Sequence, residues 1–433
     1  MSRRAVGAVA VFLTLGAGPA FGADLRLPVK APPAVVGNPS VWSGFYAGVQ
    51  AGYAFGNDNY ILDPTFGGVA GINNSNIFGS RGFSGGVLAG YNLLLAQRWL
   101  VGVEADWSWQ NIETRFSFGP GAGTGDFVTR QDWAGSIRGR VGYLVTPGTL
   151  VYGTAGWAWS NFQLEIAPFS VSSTIDGVQV GAGMETSISA NWRARLEYLH
   201  TFYNAAPLDS SIVGLSGIKP SVGLGRVAAV YQFGSPAPAD VAWPERAAAA
   251  PRWTGFYLGV SAGGAVGYAD LSVPGIGDFK GFGLAGPVPS GFVGANYQFA
   301  PRWLIGAEAE IAPSVRSTDL TLGWIAELRG RFGYLLMPDT LLYATAGWIG
   351  TRVDDLVFAG VVVVPGRQIN GVQLGGGIEA AFADAWSVRL DYQYAITQKI
   401  DLELPSRPDP TAATADPSGH VGRIAIVRRF TGD

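Results

Sequence analysis

The chain has 433 residues, of which 48% are hydrophobic and only 14% are charged, and its mean hydropathy is +0.21. An average soluble domain carries about 25% charged residues, so this chain is too apolar for a disordered protein and must hide its apolar surface in a core or in lipid. The net charge of −3 excludes the basic surface of a nucleic-acid-binding protein, and the absence of cysteine excludes disulfides and thiolate metal sites.

Residues 1–22 have the features of a secretory signal peptide. Arg3 and Arg4 precede an apolar segment at 5–18, and residues 20–22 (AFG) supply a small-residue cleavage site. The apolar segment is too short to cross a bilayer, and no other stretch reaches about 18 consecutive apolar residues. The sequence therefore predicts export with a cleaved signal peptide and no helical membrane anchor.

The remaining chain is an internal duplication. Residues 42–48 (WSGFYAG) return as residues 253–259 (WTGFYLG), and each copy follows a Pro/Ala-rich stretch. Four more motifs return in the same order: RWL at 98–100 and 302–304, RGR at 138–140 and 329–331, TAGW at 154–157 and 345–348, and GVQ at 177–179 and 371–373. We predict a linker at 23–41, a first domain at 42–233, a second linker at 234–251, a second domain at 252–430 and a tail at 431–433.

Each copy contains eight segments of about ten residues in which apolar and polar residues alternate, as in membrane β-strands. In residues 44–55, for example, Phe45 and Val49 share one face while Tyr46 and Gln50 share the other. Short and long connections alternate between the segments, as in outer-membrane barrels. Lipid requires every backbone group to be paired, which only helices and closed barrels achieve. We therefore predict an all-β fold of two tandem eight-stranded antiparallel transmembrane β-barrels, with one 16-stranded barrel as the alternative.

The charged residues of both copies fall on the face opposite the apolar one, so they should point into the lumen. They are Glu104, Asp106, Arg138, Arg140, Glu185, Arg193, Arg195, Glu197, Arg226, Glu308, Glu310, Glu327, Arg329, Arg331, Glu379, Arg389, Asp391 and Arg423. An eight-stranded barrel is only wide enough for side chains to fill it, so a salt-bridged plug is expected. A charged constriction that passes ions is the alternative.

Tryptophans near the strand ends, Trp42, Trp99, Trp107, Trp157, Trp192, Trp253, Trp303, Trp348 and Trp386, are expected in interfacial girdles. The two histidines, His200 at the end of the seventh strand and His420 at the opening of the last, are expected at the interface or in loops. No nucleophile, base and orienting group occur together, so we predict no catalytic residue, no cofactor, no metal site and no enzymatic activity.

Residues 42–48, the RGR, TAGW and GVQ strands and the closing residues 231–233 (YQF) resemble the "porin family" outer-membrane immunogenic proteins, or surface antigens, which are similar to small outer-membrane protein A-type barrels. The resemblance implies an eight-stranded barrel in the outer membrane with exposed antigenic loops. The tandem copy departs from the usual single barrel, and three residues follow Phe430 where such barrels usually end on an aromatic residue that the assembly machinery reads.

The function expected from this resemblance is structural and antigenic, with at most slow passive permeability. The alternative is a diffusion porin for small solutes. Expected partners are outer-membrane lipid, lipopolysaccharide and the outer-membrane assembly machinery, with no nucleic acid. The sequence does not indicate a surface ligand.

Overall fold

The computed structural model describes residues 42–62, 78–95, 98–118, 125–166, 169–207, 215–234, 253–273, 277–313, 315–316, 321–353, 356–358, 361–364, 366–383, 385–402 and 413–430. The predicted signal peptide, the two linkers apart from Gly234, and the tail lie outside these residues. Among the described residues, no helix is both long and apolar enough to cross a membrane.

The first copy consists of long antiparallel strands. They are β1 (Gly44–Leu62), β2 (Phe78–Leu95), β3 (Trp99–Phe118), β4 (Gly125–Thr146), β5 (Thr149–Ile166), β6 (Phe169–Ser187), β7 (Trp192–Tyr203), the two-residue β8 (Ala206–Pro207) and β9 (Leu215–Gln232). Several are nearly twice as long as the ten-residue segments predicted, because the ladders continue past the apolar part of each strand.

The second copy follows the same order with more interruptions. Its strands are β10 (Gly255–Val273), β11 (Gly277–Pro287), β12 (Ser290–Ala300), β13 (Trp303–Ala312), β14 (Val315–Arg316), β15 (Thr321–Met337), β16 (Thr340–Val353), β17 (Leu356–Phe358), β18 (Val361–Val364), β19 (Arg367–Ala383), β20 (Trp386–Thr397), β21 (Ile400–Leu402) and β22 (Ala413–Phe430). Strands β17 and β18 form a separate hairpin.

Each copy closes on itself. Strand β1 pairs antiparallel with β2 on one side and with β9 on the other, so the first and last long strands of the first copy are neighbours. Strand β10 likewise pairs with β12 and with β22, where Phe256 lies opposite Phe430. The prediction of two tandem eight-stranded antiparallel barrels is confirmed, and the alternative of a single 16-stranded barrel is wrong.

The second strand of the second copy is broken in two. Strands β11 and β12 both pair with β10, and Val288 and Pro289 stand between them. The sequence predicted only the second half, because the first half is rich in glycine, follows Pro274 and ends at Pro287, so that it resembles a loop. The backbone N–H of Val288 still donates to Gly263 O at 2.9 Å, so the break stays attached to the sheet.

Side chains alternate between the outside and the lumen along each strand. On β1, Phe45 and Val49 are 67% and 59% exposed, whereas Tyr46 is 2% exposed. A tilted strand crosses the hydrocarbon layer with about 9–11 residues. On β1 that length corresponds to residues 45–55, so the remainder of the strand, from Gly56 to Leu62, extends beyond the membrane on the side of the long loops.

Candidate functional site: the charged lumen of each barrel

The eighteen charged residues singled out in the sequence all lie in the two lumens. Seventeen are buried, and the side chain of Asp106 is 7% exposed. Their placement follows from strand periodicity, because residues that differ by two positions project to the same side of a sheet. Burying a charge is costly unless it is paired, so the geometry of the pairs decides what each lumen can do.

Glu104 on β3 occupies the centre of the first lumen. Its Oε1 lies 2.7 Å from Arg138 Nη2, and its Oε2 lies 2.6 Å from Arg195 Nη1. The Tyr46 hydroxyl donates a hydrogen bond of 2.8 Å to the same Oε2. One carboxylate therefore accepts hydrogen bonds from three strands, β1, β4 and β7, and joins them across the lumen.

Three further carboxylates extend this network. Glu185 lies 2.8 Å from Arg195 and 3.1 Å from Arg140. It is nearer the short-turn end, the end of the barrel where short turns such as the one between β4 and β5 lie. Glu197 lies 2.6 Å from Arg226 and accepts a 2.8 Å hydrogen bond from Tyr152. The third, Asp106, lies 2.6 Å from Arg138, so this arginine bridges two acids on β3.

The second lumen repeats the same arrangement. Glu308 pairs with Arg329 and with Arg389, the latter at 2.6 Å, and accepts a 2.8 Å hydrogen bond from Tyr257. Nearer the short turns, Glu379 lies 2.5 Å from Arg331. The repetition follows from conserved strand register between the copies: Glu104 stands opposite Arg138 on the neighbouring strand, and Glu308 stands opposite Arg329.

One substitution between the copies redirects part of the second network. Glu327 occupies the position of Ser136 in the first copy, and its Oε1 lies 2.8 Å from Arg423 Nη2. Arg423 therefore turns toward Glu327, whereas its counterpart in the first copy pairs with Glu197. As a result Asp391 accepts a 3.2 Å hydrogen bond from Tyr343, and its Oδ1 is buried with no hydrogen-bond partner among the described residues.

The short-turn mouth of each barrel is filled by a tryptophan. Trp42 is 0% exposed and donates from Nε1 to Pro147 O at 3.0 Å. Trp253 is 2% exposed and donates to Pro338 O at the same distance. The expectation that these two residues belong to an interfacial girdle is wrong. The other seven tryptophans named above are exposed on the outside, between 38% and 51%.

A glycine after each tryptophan makes this placement possible. Gly44 and Gly255 have φ of 112° and 138°, a region that side-chain-bearing residues rarely adopt, and the chain turns there from the mouth into β1 or β10. An arginine then stacks on each indole: Arg193 at 4.3 Å from the Trp42 ring and Arg429 at 4.7 Å from the Trp253 ring.

Arg429 was missed by the sequence reasoning. It is 5% exposed and points into the lumen, in the same alternation phase as Arg423 six residues earlier. This alternation was the feature of the sequence that could have identified Arg429 as a lumen residue. With Arg429 included, the second lumen holds five arginines and five carboxylates, whereas the first holds five arginines and four carboxylates.

The two histidines lie on the outside of the barrels. His200 is on β7, with Nε2 2.8 Å from Ser221 Oγ and Nδ1 3.1 Å from the Tyr198 hydroxyl. His420 does not open the last strand as expected, since β22 begins at Ala413 and His420 lies inside it, 4% exposed. The sequence placed it at a strand end because the preceding segment, with Pro417 and Gly419, resembles a loop.

Comparison with known proteins agrees with this architecture. The family described as "Outer membrane protein beta-barrel domain" matches residues 29–217 and again residues 241–430. The 31 kDa outer-membrane immunogenic protein of Brucella melitensis is 34% identical over 185 residues, covering 40% of this chain and 75% of that protein. The 22 kDa outer membrane protein of Rhizobium leguminosarum is 33% identical over 171 residues, covering 39% of this chain and 67% of that protein.

Solved structures are more distant. The attachment invasion locus protein Ail of Yersinia pestis, in complex with a heparin analogue, shares 14% identity with a TM-score of 0.26, over 43% of this chain and 99% of that one. The toluene transporter TodX of Pseudomonas putida shares 11% identity with a TM-score of 0.29, over 92% and 94%.

The two family matches cover most of the chain, and the relatives are named as outer-membrane proteins. The protein is thus an integral protein of the outer membrane. It belongs to the outer membrane protein beta-barrel domain family, and it carries that domain twice.

Proposed function

We propose that the protein is a structural, surface-displaying component of the envelope whose two lumens are closed to all but slow passage of solutes. The observation that carries this proposal is the pairing inside each barrel. Every arginine of the eighteen-residue set has a carboxylate oxygen within 3.8 Å, and a tryptophan fills the short-turn mouth below it.

The energetics favour a closed lumen over a diffusion porin. Removing one partner of a buried ion pair typically costs about 3–5 kcal/mol, because it leaves an uncompensated charge. A solute crossing the first lumen would have to part several such pairs around Glu104 at once. Porins that leave an aqueous channel have 16–18 strands, whereas each ring here has eight, a width that side chains alone can fill.

Display at the cell surface is the second part of the proposal. Relatives from Brucella are named immunogenic proteins, and long strand extensions such as residues 56–62 carry the outer loops away from the membrane. We infer outer-membrane lipid and lipopolysaccharide as the surroundings of these strands and the outer-membrane assembly machinery as a partner during insertion. No role with nucleic acid is proposed.

A catalytic role is not part of the proposal. His200 Nε2 lies beside the Ser221 hydroxyl, as a general base lies beside a nucleophile. The group on the other ring nitrogen, Nδ1, is the Tyr198 hydroxyl and not the carboxylate that orients the histidine of a catalytic triad. In the second copy Tyr394 stands where the first has His200. The His200→Ala variant should leave phospholipid and lipopolysaccharide in outer-membrane vesicles unchanged relative to wild type; a lipid product that disappears with this variant would contradict the non-catalytic proposal.

Planar-bilayer recording tests the closed lumen. The wild-type protein should show little or no stepwise conductance, and a Glu104→Ala, Arg138→Ala, Arg195→Ala triple variant should show clear steps because the centre of the first network is gone. A Glu113→Gln variant is the control, since Glu113 pairs with Arg115 and Arg130 beyond the membrane. Large steps from the wild-type protein would favour the diffusion porin instead.

Surface protease tests the display. Protease added to intact cells should cut within residues 63–77, which follow β1, and leave the β-barrels whole. Resistance of this segment in intact cells, combined with cleavage after the outer membrane is permeabilised, would place it on the wrong side and refute the proposal.

A further inference from the structure

A strip on the outside of each barrel has the orientation of lipid-facing residues but is buried. Val49 and Val260, which face outward elsewhere, are 59% and 63% exposed. Met184, Ile378 and Val388 have the same outward orientation and are only 1%, 2% and 5% exposed. These three side chains belong to one apolar cluster that contains residues of both copies, so each barrel covers the strip of the other.

The two strips occupy equivalent faces. In the first copy the buried or partly buried outward residues lie on β1, β5, β6, β7 and β9. In the second copy they lie on β10, β16, β19, β20 and β22, which hold the same places in the ring. The residues are Phe55, Thr149, Met184, Tyr198 and Gly225 in the first copy, and Val266, Thr340, Ile378, Tyr392 and Gly422 in the second. An interface that uses the same patch on both partners has the form of a two-fold dimer.

Reciprocal contacts between a tyrosine and a glycine show this symmetry directly. Tyr392 packs over Gly225, where an added Cβ would lie 3.3 Å from the ring, and Tyr198 packs over Gly422, where the distance would be 3.6 Å. Tyr198 and Tyr392 are equivalent in the two copies, and so are the two glycines. Small residues allow close approach of membrane segments, and here each forms the recess for the partner's ring.

Polar groups on the two barrels also contact each other across the interface. Thr149 and Thr340, again equivalent residues, have their hydroxyl oxygens 2.9 Å apart. Beyond the membrane Arg81 lies 2.8 Å from Asp270. Each threonine also has a partner in its own barrel, Thr186 for Thr149 and Asp339 for Thr340, both at 3.0 Å, so the contact between the barrels joins two groups that are already hydrogen-bonded.

His420 also belongs to the strip and stands opposite Val266 in the strand pairing. Its ring stacks on Phe55 at 4.8 Å with an interplanar angle of 2°, and its Nδ1 lies 2.6 Å from the Tyr392 hydroxyl. The equivalent residue in the first copy is Gly223, where the space beside the backbone is taken by Phe55 and Tyr198 instead of a second histidine ring. This difference fits two copies that have diverged while remaining in contact.

From these contacts we propose that the two barrels pair laterally inside the outer membrane as a pseudo-two-fold dimer within one chain. The strip on each barrel is a recognition surface for the other barrel and not for lipid. Lipid tails are as apolar as valine or isoleucine, so the pairing rests on close packing and on satisfied polar groups. The pairing also brings the outer strand extensions of the two barrels into contact, as at Phe118 of β3 and Gly277 of β11.

Engineered disulfide formation tests this proposal, because the chain has no native cysteine. The test variant is Thr149→Cys, Thr340→Cys, with a protease site inserted within residues 235–251 so that the two barrels can be cut apart. After oxidation in native membranes and cleavage, the two halves should remain joined on a non-reducing gel and separate on reduction. The control is Ala155→Cys, Ala346→Cys, on the same strands six residues further along, where both side chains are exposed. The control halves should separate without reduction.

Three results would overturn the proposal. The halves of the Thr149→Cys, Thr340→Cys variant could separate without reduction, the control pair could link equally well, or the disulfide could join two chains instead of the two halves of one chain. Heat-modifiable gel mobility shows that each variant has folded. A second comparison does not depend on the threonines: adding Gly225→Leu should greatly reduce linkage, whereas adding Gly139→Leu, on an open outward position, should not. Unchanged linkage with Gly225→Leu would also contradict the proposed packing.

Discussion

Replacing Glu104 with glutamine measures how much the lumen network stabilises the first barrel. The side chain is 2% exposed and interacts with Arg138, Arg195 and Tyr46 at 2.6–2.8 Å. Glutamine keeps the shape and one oxygen but removes the negative charge. The first lumen already holds one arginine more than its carboxylates, so the variant increases an existing excess of positive charge.

The expected loss is about 3 kcal/mol, the lower end of the range for breaking a buried pair. It falls at the lower end because the arginines keep other acids: Arg138 retains Asp106 at 2.6 Å and Arg195 retains Glu185 at 2.8 Å. Urea unfolding from lipid vesicles, followed by tryptophan fluorescence, measures the change. Glu308→Gln in the second barrel should cost less, because five arginines there face five carboxylates.

Glu113→Gln on the same strand is the matched control. Its carboxylate is 38% exposed and pairs with Arg115 and Arg130, so the loss should stay below about 1 kcal/mol. The reasoning is refuted if Glu104→Gln and Glu113→Gln destabilise equally, or if Glu308→Gln is the more damaging of the two lumen variants.

Three further predictions concern single side chains. Trp42→Ala should cost about 3–5 kcal/mol of unfolding free energy because it empties the mouth of the barrel, whereas Trp99→Ala, on the exposed outer face, should cost much less; equal losses would argue against the buried placement. Burial raises the pKa of Asp58, beyond the membrane, to about 6 despite hydrogen bonds from two threonines. The folded state therefore favours the protonated acid, a contribution fully present below about pH 4 and lost as the pH rises through 6. Asp58→Asn should thus stabilise the protein by about 3 kcal/mol at pH 8 and by almost nothing at pH 4, a difference that urea titrations at the two pH values would detect; a pH-independent effect would contradict this assignment. Asp391→Asn should change the unfolding free energy little in the same assay, whereas Glu197→Gln should be costly. Among the described contacts, Glu197 pairs with Arg226 at 2.6 Å, whereas Asp391 accepts a hydrogen bond from Tyr343. A larger loss for Asp391→Asn would show that the second network is arranged differently.

Strand periodicity and the internal repeat were sufficient to predict the fold and to assign the charged residues to one face. Glu104 and Glu308 could be recognised as equivalents because each follows an Arg-Trp-Leu motif at the same distance. Periodicity gives the side on which a residue lies, not its depth or partner. Trp42 was misplaced for that reason, because its position depends on the positive φ of Gly44.

Differences between the copies were harder to read. The substitution of Glu327 for the first copy's serine changes which acid Arg423 contacts, and this depends on the reach of side chains across the lumen. The strip between the barrels could not be predicted either. Its residues, such as Met184 and Ile378, have the same apolar character and alternation as residues that face lipid.

The break at Val288 and Pro289 has a consequence for how the second barrel must be produced. Among the described strands, the outer half, β11, has no hydrogen-bonded neighbour from its own repeat on the side away from β10, since β13 ends at Ala312. Unpaired strand edges invite aggregation and are usually capped. Here the cap comes from the other repeat, where Gly277 and Asp278 lie opposite Phe118 and Ser117 of β3. Expressed by itself, the second repeat would carry an open edge, so its folding yield should depend on the first.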